Sequence, residues 1–325
     1  DTASGTCGTS TTDPDPEPAC DPSGSPFGGG DGSETAPYRI CSVAQLKRLD
    51  DRIAYLDDHF ELRSDLNLGG ATSFEGLAPV QAAPFRGSFD GRDHTIDALT
   101  IDRPAGDAIG LFRYVTKATI EDFELRNVDI HGDVDVGAVV GRFGGADRAT
   151  LRDVRVSGRI EGDETVGGLV GTNYGRVVDV RVLGSQSKVV GQIAVGGAAG
   201  ENHHRLDGTT SSAGVEAVDG PAGGLVGLQK RGTSVDGVAT GDVTLANGDD
   251  GGGLIGRLVV DSTVRQSMAT GTVSASNASD VGGLVGYVDD ASTVADSYAL
   301  GDAGGNHNVG GLVGTHDGTI RRCYS

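Results

Sequence analysis

A short glycine-rich motif recurs from residue 109 onward at nearly constant spacing. The copies resemble Val-Gly-Gly-Leu-Val-Gly, and their first glycines are Gly137, Gly167, Gly196, Gly223, Gly252, Gly282 and Gly310. The successive intervals are 30, 29, 27, 29, 30 and 28 residues. A unit of this length cannot bury its apolar side alone, so a regular period favours units that stack on their neighbours. The repeat therefore predicts a solenoid rather than a conventional globular core.

A second pattern follows each motif and indicates strands. Val180 and Val182 flank Arg181, and the same alternation recurs in other units, for example around Tyr298. Side chains that alternate in this way point to opposite faces of a strand, so the small or β-branched residues form inward columns. A unit of this length accommodates three short strands and three turns. The sequence thus predicts an all-β chain that forms a parallel β-helix (β-solenoid) of about eight three-strand coils.

The repeated glycines are interpreted as structural, because turns stacked in register need a positive φ angle or a close approach of two backbones. The predicted turn glycines are Gly137, Gly167, Gly168, Gly196, Gly197, Gly223, Gly224, Gly252, Gly253, Gly282, Gly283, Gly310 and Gly311. The motif leucines are expected to form one buried column of Leu169, Leu225, Leu284 and Leu312. Residues 201–217 depart most from the repeat and are predicted to be an inserted loop.

The sequence divides into three segments. Residues 1–36 are rich in Pro, Gly and Asp and are predicted to be a flexible tail, because they lack an apolar face. Residues 37–104 are predicted to be an N-terminal cap with one helix over about 43–56 and the first strands. Ser42 and Gln45 fit a capping box at the start of that helix. Residues 105–325 are the repeat region.

Charge limits the partners of the chain. Lys and Arg number 26 against 46 Asp and Glu, a formal net charge of −20. Such a field repels nucleic-acid phosphates and anionic lipid surfaces, so we expect neither as a partner. No apolar run is long enough to predict a membrane span. The chain starts at Asp1 without a signal peptide, so we expect a processed or trimmed polypeptide.

The repeat copies resemble the GLUG motif of bacterial surface and secreted proteins, including the β-helical N-terminal region of IgA-cleaving metallopeptidases. Residues 38–46 are similar to the entry helix of the family, residues 64–68 to its first strand, and residues 85–91 to its Phe-x-Gly-x-Phe-Asp-Gly turn. The resemblance implies a secreted or cell-surface scaffold or adhesive stalk of bacterial type. The peptidase signature His-Glu-x-x-His is absent from the sequence, so that activity is not implied.

Metal-binding patterns are sparse. His203 and His204 are adjacent near Glu201, but neighbouring histidines on an extended chain point apart, so we expect no transition-metal site. Ca²⁺ remains an open alternative, because acidic turns can supply oxygen ligands, although solvated turn residues explain the same pattern. The Ca²⁺ candidates are Asp133, Asp135, Asp249, Asp250, Asp289 and Asp290.

No catalytic or cofactor-binding residues are predicted, and we expect the protein not to be an enzyme. Carboxylates are abundant throughout the sequence, so no pair is singled out by spacing. Sugar sites usually need aromatic platforms, and the repeat region offers Tyr174, Tyr287, Tyr298 and Tyr324, the last two in one outward column. A carbohydrate-active β-helix enzyme, either a glycosidase or a polysaccharide lyase, is the alternative.

The four cysteines are Cys7, Cys20, Cys41 and Cys323. Stacking of the coils should place Cys323 roughly 30–40 Å from the entry helix, beyond disulfide reach. We therefore expect either Cys20–Cys41 or Cys7–Cys20, with Cys323 as a buried free thiol.

These observations favour an extracellular structural or adhesive β-solenoid. A second copy of the chain, joined end to end into filaments, and a surface glycan or protein ligand are the partners we expect. A Ca²⁺-dependent surface protein is a further alternative.

Overall fold

The computed structural model describes residues 19–49, 53–69, 74–145, 149–184 and 186–325, which wind into a parallel β-solenoid of about nine turns. Three sheets run along its length, with 23, seven and eight strands. A typical coil passes from Val166–Gly167 in the seven-stranded sheet to Val170–Tyr174 in the eight-stranded sheet, and then enters the 23-stranded sheet. The predicted all-β solenoid of about eight coils is confirmed.

The two smaller sheets contain the glycine motif and the segment after it. The strands of the seven-stranded sheet are Val136–Gly137, Val166–Gly167, Val195–Gly196, Ala222–Gly223, Gly251–Gly252, Val281–Gly282 and Val309–Gly310. Those of the eight-stranded sheet are Phe112–Val115, Val140–Gly144, Val170–Tyr174, Ala199–Asn202, Val226–Lys230, Ile255–Val259, Val285–Val288 and Val313–His316.

The 23-stranded sheet forms the remainder of the wall. In the first coils its strands are Tyr38–Ile40, His59–Leu62, Leu66–Asn67, Ser88–Asp97, Thr100–Asp102, Thr119–His131 and Thr150–Glu161. In the later coils they are Arg176–Val178, Arg181–Val182, Lys188–Gly191, Arg205–Asp207, Thr210–Ser211, Gly214–Ala217, Thr233–Val235, Val238–Ala239, Val243–Leu245, Thr263–Arg265, Met268–Ala269, Val273–Ala275, Thr293–Ala295, Tyr298–Ala299, Ala303–Gly304 and Thr319–Arg321.

The coil from Val136 to Glu161 has three strands, as predicted, whereas the coils from Arg176 onward have more, because left-handed residues there interrupt the 23-stranded sheet. Asp153, Asp179 and Asp236 all have a φ angle of 52° and occupy the same point of successive or nearby coils. Asp tolerates this conformation better than most residues, since its short polar side chain bonds locally. Thr150–Glu161 remains one 12-residue strand despite Asp153, but it is matched in the next coil by three short strands that pair with it, and Asp179 lies between the first two of them.

The motif glycines are needed for close approach of backbones and not for positive φ angles. A Cβ atom on Gly167 would lie 2.1 Å from the carbonyl oxygen of Val170, and one on Gly168 would lie 2.2 Å from that of Gly197. None of the predicted turn glycines has a left-handed φ angle. That conformation occurs instead just before the motif, at residues such as Asp135 and Asp250.

The core changes in character along the axis. Aromatic rings fill the first coils, where Phe85 and Phe112 lie 5.0 Å apart and Phe89 and Phe123 lie 5.6 Å apart between ring centroids. Valine, alanine, serine and the motif leucines fill the later coils. The predicted leucine column is buried at Leu169, Leu225 and Leu284, whereas the leucine of the last coil is only half-buried.

The predicted helix over 43–56 is wrong in its extent. The structure has an α-helix at Val43–Lys47 and a separate 3₁₀ turn at Ile53–Tyr55, and residues 50–52 lie outside the described residues. The capping box does not form either. The Oε1 atom of Gln45 accepts a hydrogen bond from the backbone N–H of Cys41 at 2.9 Å, and its amide donates to the carbonyl of Asp21 at 2.8 Å. Gln45 is thus used to hold the preceding segment on the cap.

The segment before the cap differs from the predicted flexible tail. Residues 1–18 lie outside the described residues, but residues 19–36 are ordered and pack on the first coil. Phe27 is buried, with its ring centroid 5.4 Å from that of Phe60. A disulfide joins Cys20 to Cys41, with 6.2 Å between the Cα atoms. One buried aromatic side chain and one covalent link order a stretch whose composition alone suggests disorder.

The predicted loop at residues 201–217 is also wrong, because this segment is a regular coil. Leu206 pairs with Val177 below it and Ser234 above it, and Val215 pairs with Val189 and Val243. Thr209 is fully buried. The small residues of this segment alternate between inward and outward positions as in other strands, but their similar size and polarity make the alternation hard to recognise in the sequence. No helix among the described residues is long and apolar enough to cross a membrane.

Candidate functional site

The structure does not bring the Ca²⁺ candidates together. Within the described ranges, no three or more His, Cys, Asp and Glu side chains converge on a point where a metal ion could sit. Asp249 accepts a hydrogen bond from the N–H of Ser279 at 3.2 Å, and Asp289 accepts one from the N–H of Val260 at 2.6 Å. Asp133 lies half-buried in a turn, and Asp290 is exposed.

The other two candidates, Asp135 and Asp250, are buried and contact outward-facing side chains of the eight-stranded sheet. Residues at one register position of this sheet form an outward column, which consists of Tyr114, Arg142, Thr172, Glu201, Leu228, Arg257, Tyr287 and Thr315. A second outward column, two residues further along each strand, contains Gly144 and Tyr174. Three of the seven tyrosines, Tyr114, Tyr174 and Tyr287, lie on this face beside Arg142 and Arg257, so it is the candidate functional site.

The densest part of this face is here called the Tyr174 cluster, defined by Arg142, Thr172, Tyr174, Glu201, His203 and Lys230. The rings of Tyr174 and His203 are stacked, with centroids 4.5 Å apart and an interplanar angle of 17°. The Nε2 atom of His203 lies 2.8 Å from a carboxylate oxygen of Glu201, and Nζ of Lys230 lies 3.8 Å from the other oxygen. The hydrogen bond to His203, helped by the charge of Lys230, holds the pKa of Glu201 below its usual range despite burial.

Asp135 is a buried residue that holds two members of the cluster in place. The hydroxyl of Thr172 donates a hydrogen bond to Oδ1 of Asp135, and Nη2 of Arg142 lies 3.0 Å from Oδ2. Burial raises the pKa of Asp135 above its ordinary value, while the hydrogen bond and the arginine oppose that rise. The carboxylate thus fixes the position of the Arg142 guanidinium at the surface.

The same arrangement recurs further along the solenoid. Nε of Arg257 lies 3.2 Å from Oδ2 of the buried Asp250, and its guanidinium carbon lies 5.1 Å from the ring centroid of Tyr287. Burial raises the pKa of Asp250 to about 7, against the lowering effect of Arg257. In both places an Asp precedes the glycine motif and an Arg follows seven residues later, which is a signal that the sequence contains and that the repeat analysis missed.

The remaining tyrosines lie elsewhere. Tyr298 and Tyr324 share one outward column of the 23-stranded sheet, as predicted, and their rings are stacked 5.1 Å apart at 3°. Cys323 is a free thiol, half-buried, with Sγ 3.7 Å from the carbonyl oxygen of Val294. Of the two disulfides left open by the sequence, Cys20–Cys41 is the one present, and Cys7 lies outside the described residues.

Two concave places lie on the 23-stranded sheet. One has a volume of about 460 Å³ and includes His59 and Ser88, whose Nδ1 and Oγ atoms are 2.8 Å apart. The other has a volume of about 400 Å³ and lies around Gly214, between Lys188 and Asp242. Neither contains an aromatic side chain exposed for stacking, and the charged residues in them are largely paired across coils, as Lys188 is with Glu216.

Residues 277–303 match the family model described as the GLUG motif. This part of the chain carries a GLUG motif. The resemblance seen in the sequence is therefore confirmed, and the matched stretch includes the repeat copy at Gly282 and Gly283.

Relatives and solved structures extend the comparison. A stretch of 139 residues, 40% of this chain, is 32% identical to halomucin from Haloquadratum walsbyi and spans 2% of that protein. A crystal structure described as a candidate immunoglobulin A1 protease from Bacteroides ovatus superposes with a TM-score of 0.65 at 16% identity, covering 77% of this chain and 80% of the other. A structure described as IgA1 protease gives a TM-score of 0.56 at 16% identity, covering 83% of this chain and 21% of the other. At this identity the likeness shows the fold alone.

Proposed function

We propose that the chain is a non-catalytic, extracellular β-solenoid scaffold that presents the outer face of its eight-stranded sheet for adhesion. The observation that carries the proposal is the in-register stacking of that sheet, which places equivalent side chains at a regular spacing of about 4.8 Å along the axis. A rigid array of this kind holds aromatic and basic groups at fixed distances without loops that need ordering on binding.

Several observations support an extracellular location. The disulfide Cys20–Cys41 persists best in an oxidising environment. A net charge of −20 keeps a protein soluble and separate from other acidic molecules. The partial match to halomucin, and the fold shared with proteins named for immunoglobulin A1 cleavage, agree with a role outside the cell.

The test separates adhesion from catalysis. We would incubate the protein with immobilised bacterial and plant glycans, and measure both the protein retained and the reducing ends released. An adhesive scaffold is expected to be retained while no reducing ends accumulate. Release of reducing ends that is lost in a variant of the concave place around His59 and Ser88, such as Ser88→Ala, would favour the carbohydrate-active enzyme instead. End-to-end filament formation remains a prediction, which sedimentation velocity over a wide range of protein concentration tests.

A further inference from the structure

The Tyr174 cluster combines an accessible aromatic ring with hydrogen-bonding groups whose charges are balanced. From this combination we infer that it is a binding subsite for one neutral sugar ring of an oligosaccharide. The inference rests on the adhesive part of the proposed function and names the ligand class for that face.

Among the described residues, one aromatic neighbour covers a face of the Tyr174 ring. His203 stacks on that face at 4.5 Å between centroids. On the opposite side, the residue in register with Tyr174 is Gly144, which has no side chain to lie against the ring. Tyr174 is 37% exposed, so its ring is accessible to a ligand. The C–H face of a pyranose is apolar and about as wide as a phenol ring, and aromatic rings bind such surfaces while keeping a polar tip in water.

Donors and acceptors surround the ring at positions fixed by the sheet. The Arg142 side chain is 39% exposed and its guanidinium is held by Asp135, so its outer N–H groups are oriented before a ligand arrives. The Lys230 side chain is 38% exposed, and Glu201 offers carboxylate oxygens between the two cations. This set matches hydroxyl groups, which need a donor and an acceptor close together.

The balance of charge favours a neutral ligand over an acidic one. Arg142 is paired with Asp135, and Nζ of Lys230 lies 3.8 Å from Glu201, so the two cationic groups already face two carboxylates. The net charge of −20 on the whole chain further repels anionic ligands. A uronate would bring a negative charge, and both cations of the cluster are already paired with carboxylates. A neutral sugar forms hydrogen bonds without placing a further negative charge beside those carboxylates.

The test uses the whole chain and calorimetric titration with neutral trisaccharides, namely cellotriose, maltotriose and mannotriose, and with trigalacturonic acid as the acidic probe. At least one neutral trisaccharide is expected to saturate the protein in the millimolar range or tighter. Trigalacturonic acid is expected to bind at least about tenfold more weakly, which is the factor that 1.4 kcal/mol represents.

Three variants test whether the sugar binds at Tyr174. Tyr174→Ala is expected to weaken binding of the neutral trisaccharide by about tenfold or more, and Tyr174→Phe, which keeps the ring, to stay within about threefold of wild type. Tyr324→Ala is the matched control, because it removes a stacked and more exposed tyrosine beside the 23-stranded sheet. It is expected to bind like wild type, and urea unfolding checks that all three variants fold.

Each contrary result has a distinct meaning. Unchanged binding by Tyr174→Ala, or equal loss in Tyr324→Ala, overturns the position of the subsite. Tighter binding of trigalacturonic acid than of every neutral trisaccharide overturns the ligand class. If wild-type protein is retained by whole glycans but binds no neutral trisaccharide at millimolar concentration, the subsite falls and the adhesive scaffold stands.

Discussion

At the level of single residues, stability in this solenoid depends on whether a position has room for a Cβ atom. Stacked coils bring backbones close at the motif glycines, while Gly214 has no such neighbour. A Cβ on Gly168 would lie 2.2 Å from the carbonyl oxygen of Gly197, but one on Gly214 would meet no atom within 4 Å. The same residue type is therefore required at one site and dispensable at another.

Two alanine substitutions test this distinction by urea unfolding. Gly168→Ala is expected to lower the free energy of unfolding by about 1–3 kcal/mol, because the backbones of two coils must separate. Gly214→Ala is expected to raise it by about 0.5–1 kcal/mol, because alanine has less conformational freedom to lose on folding. If both variants change stability in the same direction by the same amount, backbone approach is not the reason for the motif glycines.

The column of motif leucines gives a second comparison. Leu225 is fully buried. Leu225→Asp would bury an unpaired carboxylate and leave a void, which is expected to lower the free energy of unfolding by about 3 kcal/mol or more. Leu312 has the same place in the last coil but is only half-buried, so Leu312→Asp is expected to cost clearly less. Melting temperatures of the two variants measure the difference. A Leu225→Asp protein that melts within a degree or two of wild type would contradict a packed interior.

At the level of elements, the buried carboxylates that contact the eight-stranded sheet couple stability to pH. Asp250 has a pKa of about 7 in the folded protein because burial disfavours its charged form. In the unfolded chain its pKa is close to 3.9. A folded pKa above the unfolded one means that the contribution of Asp250 to stability is greatest below about pH 4 and is lost as the pH rises towards 7.

Asp250→Asn removes this titration and tests the coupling. The variant is expected to lose less stability than wild type between about pH 4 and pH 7, by at most about 4 kcal/mol for a shift of about three pKa units. Asp296→Asn is the control, because Asp296 is on the surface and the hydrogen bond from Arg322 lowers its pKa. Parallel pH profiles for wild type and Asp250→Asn, measured by urea unfolding, would show that Asp250 titrates normally.

The strands and their inward columns follow from the sequence because every coil repeats the same alternation. The packing of residues 19–36 on the first coil does not follow in the same way, because it depends on the burial of Phe27, which local composition does not reveal. The Cys20–Cys41 bond that fastens this segment was one of two disulfides that the sequence left open. The coil at residues 201–217 was missed for a related reason, because small residues there carry no contrast between inward and outward positions. The candidate site was missed because it joins residues of successive coils, such as Tyr174 and His203, that are neighbours only after stacking.

At the level of the whole molecule, the coil is the unit that can be added or removed. Ala222 and Gly251 are register partners in adjacent coils, so deletion of residues 223–251 joins Ala222 to Gly252 and removes one whole repeat. This deletion is expected to leave a shorter solenoid that still unfolds cooperatively. Deletion of residues 203–214 removes part of a coil and is expected to abolish cooperative unfolding. The opposite pattern in circular dichroism melts would mean that residues 201–217 form a dispensable loop.

The central claim is that successive repeats stack in register, and distances between spin labels test it most directly. Thr150, Thr263 and Thr319 lie in one outward column. Thr263 is four coil-to-coil steps from Thr150, and Thr319 is six steps from Thr150. In a Cys7→Ser, Cys323→Ser background, labels at 150 and 263 are expected about 19 Å apart, and labels at 150 and 319 about 29 Å apart, from a rise of about 4.8 Å per coil. Pulsed electron paramagnetic resonance should give two narrow distributions that differ by about 10 Å. Broad or equal distributions for the two pairs would contradict the stacked solenoid.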